Sequence, residues 1–258
     1  PAPRMIDATN AKLRLVDKPF ISLFNSKFRM HDFKTFREYT TPLIRVILLC
    51  MSRHIRQYYR VRNVRVFFFE LFKTKENIYM LDPIMGDNGR TIKIFNDDLL
   101  RGMQELSLHA DVLTPNITEL CLLTDVDYGE LVCHKNEEDY VKRIQDICET
   151  LMKKTEHPQS IVVTGIIHEK NGLTYMGNLV VSETESAHIE KPYVKQRFSG
   201  TGDLFASVVC GSLVGGNSLT TSVQKASDFL HTAIEDAAAE NVPSNHGIHF
   251  EKYLSRLL

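Results

Sequence analysis

Glycine is missing from the first third of the chain, because none of its 13 glycines precedes Gly86. Long apolar runs are missing as well: the longest candidate, Val46 to Met51, follows Arg45 and is far shorter than the roughly 20 residues that a membrane helix needs. The N-terminus also lacks the layout of a signal peptide. With 258 residues and 43% hydrophobic side chains, the chain can bury a full core, so we predict a single domain over residues 1–258 that does not enter a membrane.

Paired cysteines are missing too. The five cysteines are odd in number and widely spaced, and no two form the Cys-x-x-Cys pattern of zinc and redox sites. The ten histidines show no spacing typical of metal ligands. This usage predicts buried free thiols in a reducing, cytoplasmic location, and it argues against a zinc protein.

Charge is distributed unevenly along the chain, although its net value is only −1. Residues 1–75 carry 16 Lys and Arg against 5 Asp and Glu, whereas the later residues carry 15 against 27. The basic part includes an arginine series, namely Arg53, Arg56, Arg60, Arg62 and Arg65. Such a series can bind nucleic acid or an acidic partner, or it can form a solvated helix face. We favour the solvated face and do not expect nucleic-acid binding.

From about residue 78 onward, segments of strand and helix type alternate. The strands are predicted at Ile78–Leu81, Asp111–Thr114 and Ile161–Gly165. The helices are predicted at Asp97–Leu108, from Thr118, at Glu137–Lys154, from Gly200–Asp203 onward and at Thr221–Ala239. A hairpin is predicted from Leu173–Met176 and Leu179–Ser182, with its turn at Gly177-Asn178.

Residues 1–77 carry a weaker pattern. Phe33, Phe36 and Tyr39 suggest a helix, Leu43–Cys50 is compatible with a strand or a helix, and Val64–Phe72 resembles a helix. The alternation in the rest of the chain predicts an α/β fold with three layers, a doubly wound, mostly parallel sheet and a small β-hairpin element.

The segment Gly200-Thr201-Gly202-Asp203 stands where an apolar helix begins. A helix start exposes unpaired backbone N–H groups and a partial positive charge, which favour a bound anion such as phosphate. The glycines let the backbone approach that anion, because no Cβ stands in the way. Asp203, in the first turn, can accept a proton beside it. The segment therefore predicts a phosphate cradle with a base at its edge, as phosphoryl transfer to a hydroxyl requires.

Three polar residues follow predicted strands, namely Asp82, Asn116 and Thr164. Ligands of doubly wound sheets bind beyond the carboxyl ends of the strands, so we expect these side chains to face the same crevice as the phosphate cradle. Some of these residues also have a purely structural interpretation. Asp82 could simply end a strand before Pro83, and Asn116 with Glu119 has the spacing of a helix capping box.

Four motifs occur in this order along the chain: Leu81–Gly89, Ala110–Leu120, Val162–Gly165 and Gly200–Ser207. Together they resemble the ribokinase-like superfamily and, within it, the pyridoxal/pyridoxine (vitamin B6) kinases. The segment Asn245–Glu251 resembles the C-terminal end of the same family. The resemblance covers about residues 65–258. The first 64 residues depart from the family. In the family this part supplies a glycine-containing turn and several vitamin-binding side chains, whereas here it contains no glycine.

The resemblance implies ATP-dependent phosphorylation of a hydroxymethyl group on a pyridine ring, in pyridoxal, pyridoxine or pyridoxamine. At the matching positions, Asp203 would be the general base for the substrate hydroxyl. The backbone of Gly200, Thr201, Gly202 and Asp203 would form an anion hole for the transferred phosphoryl group. No vitamin-binding residue can be assigned in this way.

The resemblance also implies a metal and phosphate side of the site. Asp82 and Glu119 would hold Mg²⁺, which prefers oxygen ligands and keeps several waters. Asp87, Asn116 and Thr164 would contact the ATP phosphates or the waters of the metal. A monovalent cation is a further candidate cofactor.

Other implications concern assembly and alternatives. The family resemblance suggests a homodimer, with the predicted hairpin around Gly177 as a candidate lid. A kinase for the hydroxymethylpyrimidine precursor of thiamine shares the fold and the phosphate-side motifs. A non-catalytic ribokinase-like protein, whose basic N-terminal part binds an acidic partner, is the alternative from another functional class.

Overall fold

The computed structural model describes residues 77–93 and 95–257, together with the backbone of two earlier strands, Ile21–Ser22 and Val46–Cys50. The segment Leu43–Cys50, which is compatible with a strand or a helix on sequence alone, therefore contains a strand. The helices predicted around Phe33 to Tyr39 and at Val64–Phe72, and the arginine series, lie outside the described residues.

We number the described elements in chain order. The strands are β1 Ile21–Ser22, β2 Val46–Cys50, β3 Ile78–Asp82, β4 Gly86–Asp87, β5 Arg90–Thr91, β6 Val112–Leu113, β7 Ser160–Lys170, β8 Leu173–Val181 and β9 Ser186–Pro192. The helices are α1 Asp97–Ser107, α2 Ile117–Thr124, α3 Tyr128–Val132, α4 Tyr140–Met152, α5 Thr201–Val214 and α6 Leu219–Ala239. Two 3₁₀ helices follow, Ser244–His246 and Phe250–Leu257.

One sheet contains most of these strands, in the order β1-β2-β3-β6-β7-β8-β9. Neighbours from β1 to β7 pair in parallel, whereas β8 pairs antiparallel with both β7 and β9. The strands β4 and β5 form a separate antiparallel pair. The prediction of a mostly parallel sheet in an α/β fold is thereby confirmed.

The central strands are buried on both faces, as parallel strands between helices must be. On β3, Leu81 packs in a cluster that includes Leu106 of α1 and Ile144 of α4. Met80, the preceding residue, packs on the other face, with Val209 of α5 and other residues of α5 and α6. Successive side chains point to opposite faces of a strand, so the sheet is the middle of three layers.

The hairpin predicted at Gly177-Asn178 is wrong, because both residues lie inside the continuous strand β8. The turn between β7 and β8 falls instead at Asn171-Gly172, where φ is 53° and 75°. Two consecutive residues with positive φ are typical of the hairpin turn whose twist matches the flanking strands. Gly177 is therefore not at a hairpin tip, and the lid suggested there is not supported by a turn.

Within the part of the chain that the structure describes, no helix is both long and apolar enough to cross a membrane. The prediction of buried free thiols is confirmed for Cys121, Cys148 and Cys210, whereas Cys133 is exposed.

Candidate active site

The start of α5 presents open backbone to its surroundings. Gly200 precedes the helix with φ of 85°, a left-handed conformation that glycine adopts at little cost. Among residues 77–93 and 95–257, no neighbouring atom lies within 4 Å of a Cβ built on Gly200 or on Gly202. Gly202 needs no left-handed backbone, so neither strain nor packing within the described residues explains its missing side chain. The open space beside it is suited to a group that is not part of the chain.

The charges of Asp203 and Asp82 interact near this helix start. Asp203 lies in the first turn of α5 and is partly buried, which raises the pKa of its carboxyl group. Asp82 is the last residue of β3 and accepts a hydrogen bond from Oγ1 of Thr114 at 3.0 Å. Burial, with a contribution from the charge of Asp203, raises the pKa of Asp82 to about 7. The ends of β3 and α5 thus bring two carboxylates together.

Glu119 is the third carboxylate of the group and also part of a helix cap. Its Oε1 accepts a hydrogen bond from the backbone N–H of Met85 at 3.0 Å, and its Oε2 accepts one from Asn116 N–H at 2.9 Å. Oδ1 of Asn116 accepts in return from Glu119 N–H, which completes a capping box at the start of α2. The capping interpretation is confirmed. Burial, followed by the charge of Asp82, raises the pKa of Glu119 to about 8.

The carboxylates of Asp82, Glu119 and Asp203 suit a hard divalent cation by their chemistry, although their oxygens do not all lie within 4.8 Å of one another. The charge of Asp203 contributes to the raised pKa of Asp82, and the charge of Asp82 contributes to that of Glu119. Burial is the largest cause of the raised pKa values of Asp82 and Glu119, and repulsion between carboxylates adds to it. A bound cation would offset both costs by neutralising the charges. Carboxylate oxygens are ligands that Mg²⁺ prefers. The residues present therefore fit a magnesium ion.

The loop that joins β4 and β5 is tied to the start of α2. Nδ2 of Asn116 donates to the carbonyl oxygen of Gly86 at 2.9 Å, and Gly89 N–H donates to Oγ1 of Thr118 at 2.9 Å. Asn116 thus uses its oxygen for the helix cap and its amide nitrogen for the loop. These bonds hold the segment around Asp87 beside the start of α2, which carries Glu119.

Arg197 is a residue that sequence reasoning missed. Its Nη1 is 3.0 Å from Oδ2 of Asp87, and its Nη2 donates to Oδ1 of Asn88 at 2.9 Å. The guanidinium therefore joins the segment that leads into α5 to the loop between β4 and β5. The available signal was its position three residues before Gly200, directly ahead of the Gly200–Ser207 motif.

The expected meeting of strand ends is partly confirmed at Thr164. Asn116 and Thr164 form an isolated parallel β-bridge, so two of the predicted residues lie side by side. Directly afterwards Gly165 adopts φ of 69°, and the pairing of β7 with β8 shifts register. The backbone N–H of Gly165 donates to Oδ1 of Asn178 at 3.3 Å. Asn178 is therefore another residue of this region that sequence reasoning read only as part of a turn.

Comparison with known proteins identifies the family of this chain. The family model for phosphomethylpyrimidine kinase matches residues 60–249. The pyridoxal kinase of sheep (Ovis aries) is 28% identical over 175 residues, which are 61% of this chain and 51% of that protein. The chain spans about half the length of the curated relatives that it matches.

Solved structures share the fold. A candidate phosphomethylpyrimidine kinase from Bacteroides thetaiotaomicron, solved with pyridoxal, has a TM-score of 0.72 at 24% identity and covers 93% of this chain and 79% of its own. The pyridoxal kinase of Leishmania donovani, in complex with ADP and pyridoxamine, has a TM-score of 0.61 at 21% identity and covers 93% and 80%. The sheet, the order of motifs and the match over residues 60–249 together show that this chain belongs to the phosphomethylpyrimidine kinase family.

Proposed function

We propose that this protein transfers a phosphoryl group from ATP to the hydroxymethyl group of a B6 vitamer, namely pyridoxal, pyridoxine or pyridoxamine. The observation that carries the proposal is the open helix start at Gly200 and Gly202, where a Cβ would meet none of the described atoms within 4 Å. Asp203 stands in its first turn, and its charge acts on the buried carboxylate of Asp82, whose charge in turn acts on that of Glu119. Membership of a kinase family and the pyridoxal kinases among the relatives support the reaction class and the substrate class.

Asp203 is proposed as the general base. Its partial burial raises the pKa of the carboxyl group, which makes the carboxylate a better proton acceptor than an exposed one. It stands in the first turn of α5, next to the space where the phosphoryl group would lie. The substrate hydroxyl would give its proton to Asp203 as its oxygen attacks phosphorus. A positioned base of this kind contributes on the order of 10²–10⁴-fold to the rate.

The start of α5 is proposed as the anion hole. The first N–H groups of a helix have no partner within it, and they point out of its N-terminal end. The backbone N–H groups of Gly200, Thr201, Gly202 and Asp203 would stabilise the charge on the oxygens of the transferred group. Phosphoryl transfer depends mainly on such positioning and charge stabilisation.

Asp82 and Glu119 are proposed to hold Mg²⁺, with Asn116 and Thr164 on the phosphate side. Bound there, the ion would neutralise phosphate charge and lower the repulsion among the three carboxylates. Both oxygens of Glu119 already accept backbone hydrogen bonds, so this side chain is fixed in place. Asp87 repels phosphate by its own charge, and we propose that it acts by orienting Arg197, a cation able to contact phosphate.

A hydroxymethylpyrimidine kinase is the second candidate, because the family model that matches is that of phosphomethylpyrimidine kinase. Both reactions phosphorylate a hydroxymethyl group on a nitrogen heterocycle and use the same phosphate-side residues. For either activity we propose a homodimer in the cytoplasm, as the family resemblance suggests.

Measuring ATP consumption with B6 vitamers and with hydroxymethylpyrimidine tests these proposals. We expect turnover with a B6 vitamer that falls at least about 100-fold in Asp203→Asn. Asp146→Asn, which changes an exposed aspartate on α4, is the matched control and should retain full activity. A preference for the pyrimidine would select the second candidate. ATP binding without turnover on any of these substrates would overturn both and favour a non-catalytic protein.

A further inference from the structure

A second cluster of chemically active side chains lies on the antiparallel part of the sheet. His168 belongs to β7, whereas His188 and Glu190 belong to β9. Nε2 of His168 is 3.0 Å from Oε2 of Glu190, and Nδ1 of His188 is 3.6 Å from the same oxygen. One nitrogen or oxygen from each of the three side chains lies within 4.8 Å of the others. The two strands contribute to one cluster although β8 separates them.

Gly177 on β8 makes this meeting possible. It lies opposite Glu190, while Leu179, two residues further along, lies opposite His188. Residues two apart share a face of a strand, so these side chains all stand on one face of the sheet. Because Gly177 carries no side chain, the space above the middle strand is open, and Nε2 of His188 occupies the position that a Cβ would take. The side chains of the outer strands thus meet above a glycine.

The charges around the cluster leave its donor atoms available. Lys170 donates to Oε1 of Glu190 at 2.8 Å, so Oε2 faces the two histidines. Only 12% of the His168 side chain, 19% of His188 and 25% of Glu190 is exposed. The three side chains are therefore largely shielded from water, while one donor atom of each faces the others.

We propose that His168, His188 and Glu190 bind a divalent transition-metal ion, for which Zn²⁺ is the best chemical match. Two imidazoles and one carboxylate form a donor set that zinc accepts, with a fourth position left for water. Tetrahedral zinc with ligands at about 2.0–2.1 Å separates its donor atoms by about 3.3 Å. The two histidine nitrogens lie 3.0 and 3.6 Å from Oε2 of Glu190, on either side of that value. The ion links β7 to β9 across β8, independently of the proposed kinase activity.

The imidazole donors distinguish this site from the one proposed at Asp82, Glu119 and Asp203, which offers only carboxylates. Mg²⁺ selects oxygen ligands, whereas imidazole suits zinc and its neighbours among the transition metals. Adding Mg²⁺ should therefore leave the cluster empty, and adding Zn²⁺ should fill it. Sequence spacing does not indicate the site, because His168 is far from His188 along the chain and only the register of β8 brings them together.

Calorimetric titration of the metal-free full chain with Zn²⁺, in the presence of excess Mg²⁺, tests the proposal. We expect one zinc ion per chain, with affinity at least about tenfold lower in His168→Asn and in Glu190→Gln. His231→Asn is the matched control, because His231 on α6 pairs with Glu235 at 3.3 Å in a comparable His–carboxylate contact. Its affinity for Zn²⁺ should stay within about twofold of the wild-type value.

A spectroscopic measurement with Co²⁺ keeps the test informative if one variant folds poorly. Tetrahedral Co²⁺ absorbs visible light far more strongly than the octahedral ion, so the wild-type protein should show an intense band that both Glu190→Gln and His188→Asn lose. Zinc binding of equal strength in all variants would overturn the proposal, since the ion would then lie elsewhere. Absence of zinc binding would also overturn it and leave a hydrogen bond between His168 and Glu190.

Discussion

Arg197 and Asp87 form an ion pair, with 3.0 Å between Nη1 and Oδ2, that connects the segment before α5 to the loop between β4 and β5. Both side chains are more than half exposed. Exposed pairs contribute about 0–1 kcal/mol to stability, so the fold does not depend on this contact. Its effect is to hold the guanidinium of Arg197 beside the loop between β4 and β5, where we propose that it contacts phosphate.

Arg197→Gln should therefore impair catalysis much more than folding. We expect kcat/KM for ATP to fall at least about tenfold, because a cation that contacts phosphate is lost. The free energy of unfolding should change by less than about 1 kcal/mol. Steady-state kinetics and urea unfolding measure the two effects. Arg101→Gln, which breaks an exposed pair with Asp98 on α1, is the control and should affect neither quantity.

Comparing Gly202→Ala with Gly211→Ala separates the effect of filling the proposed anion hole from the effect of alanine on helix stability. Both glycines belong to α5, and at neither would a Cβ meet an atom of the described side chains or of other described segments within 4 Å. Alanine is favoured over glycine in a helix by up to about 1 kcal/mol, so thermal melting should show that neither variant is destabilised. Only Gly202→Ala should lose activity, since its methyl group enters the proposed anion hole. Equal activity of the two variants would show that Gly202 does not line an anion hole.

The buried carboxylates predict that the metal-free protein becomes less stable as pH rises. The pKa of Asp82 is raised to about 7 and that of Glu119 to about 8, so the folded state binds more protons than the unfolded state between about pH 5 and 8. Stability is then greatest below that window and falls through it as the carboxyl groups ionise. Urea unfolding in EDTA at pH 5 and pH 8 measures the difference.

Asp82→Asn should stabilise the metal-free protein at pH 8 by on the order of 2 kcal/mol, because it removes a charge that burial disfavours and that neighbouring carboxylates repel. Added Mg²⁺ should stabilise the wild-type protein at pH 8 and stabilise Asp82→Asn less. Asp146→Asn, at an exposed position of α4, should leave the pH dependence unchanged. A wild-type stability that is flat from pH 5 to pH 8 in EDTA would contradict this account.

Gly177→Ala should destabilise the fold although it changes only one methyl group. Its Cβ would collide with the His188 ring, and crowding of this kind costs about 1–3 kcal/mol. In the His188→Ala background the same substitution should cost much less, because the ring is absent. A double-mutant cycle measured by urea unfolding gives the coupling directly. If the two substitutions are additive, the ring of His188 does not fill the space above Gly177.

Much of the fold and part of the site could be predicted from local sequence. The apolar spacing of α4 and α6 and the apolar run of β7 identified these elements, although the helix predicted at Glu137–Lys154 begins only at Tyr140. The capping box of Asn116 and Glu119 followed from their three-residue spacing. These features depend on residues that lie close together in the chain, so the sequence displays them directly.

The turn between β7 and β8 shows where local signals became ambiguous. Both Asn171-Gly172 and Gly177-Asn178 have the composition of a two-residue hairpin turn. Only the pairing of Lys170 with Leu173 identifies the first pair as the turn. Gly177 then serves a different purpose, since it makes room for a histidine of the neighbouring strand.

By itself, the sequence determined the alternation of strands and helices, the glycine-rich start of α5 and the identity of the candidate carboxylates. Only the tertiary structure decided that Arg197 binds Asp87 and that His168 meets Glu190. The physical reason is the range of the interactions. Periodicity and capping act within a few residues, whereas contacts between distant segments follow from sheet register and helix packing, which no local pattern specifies.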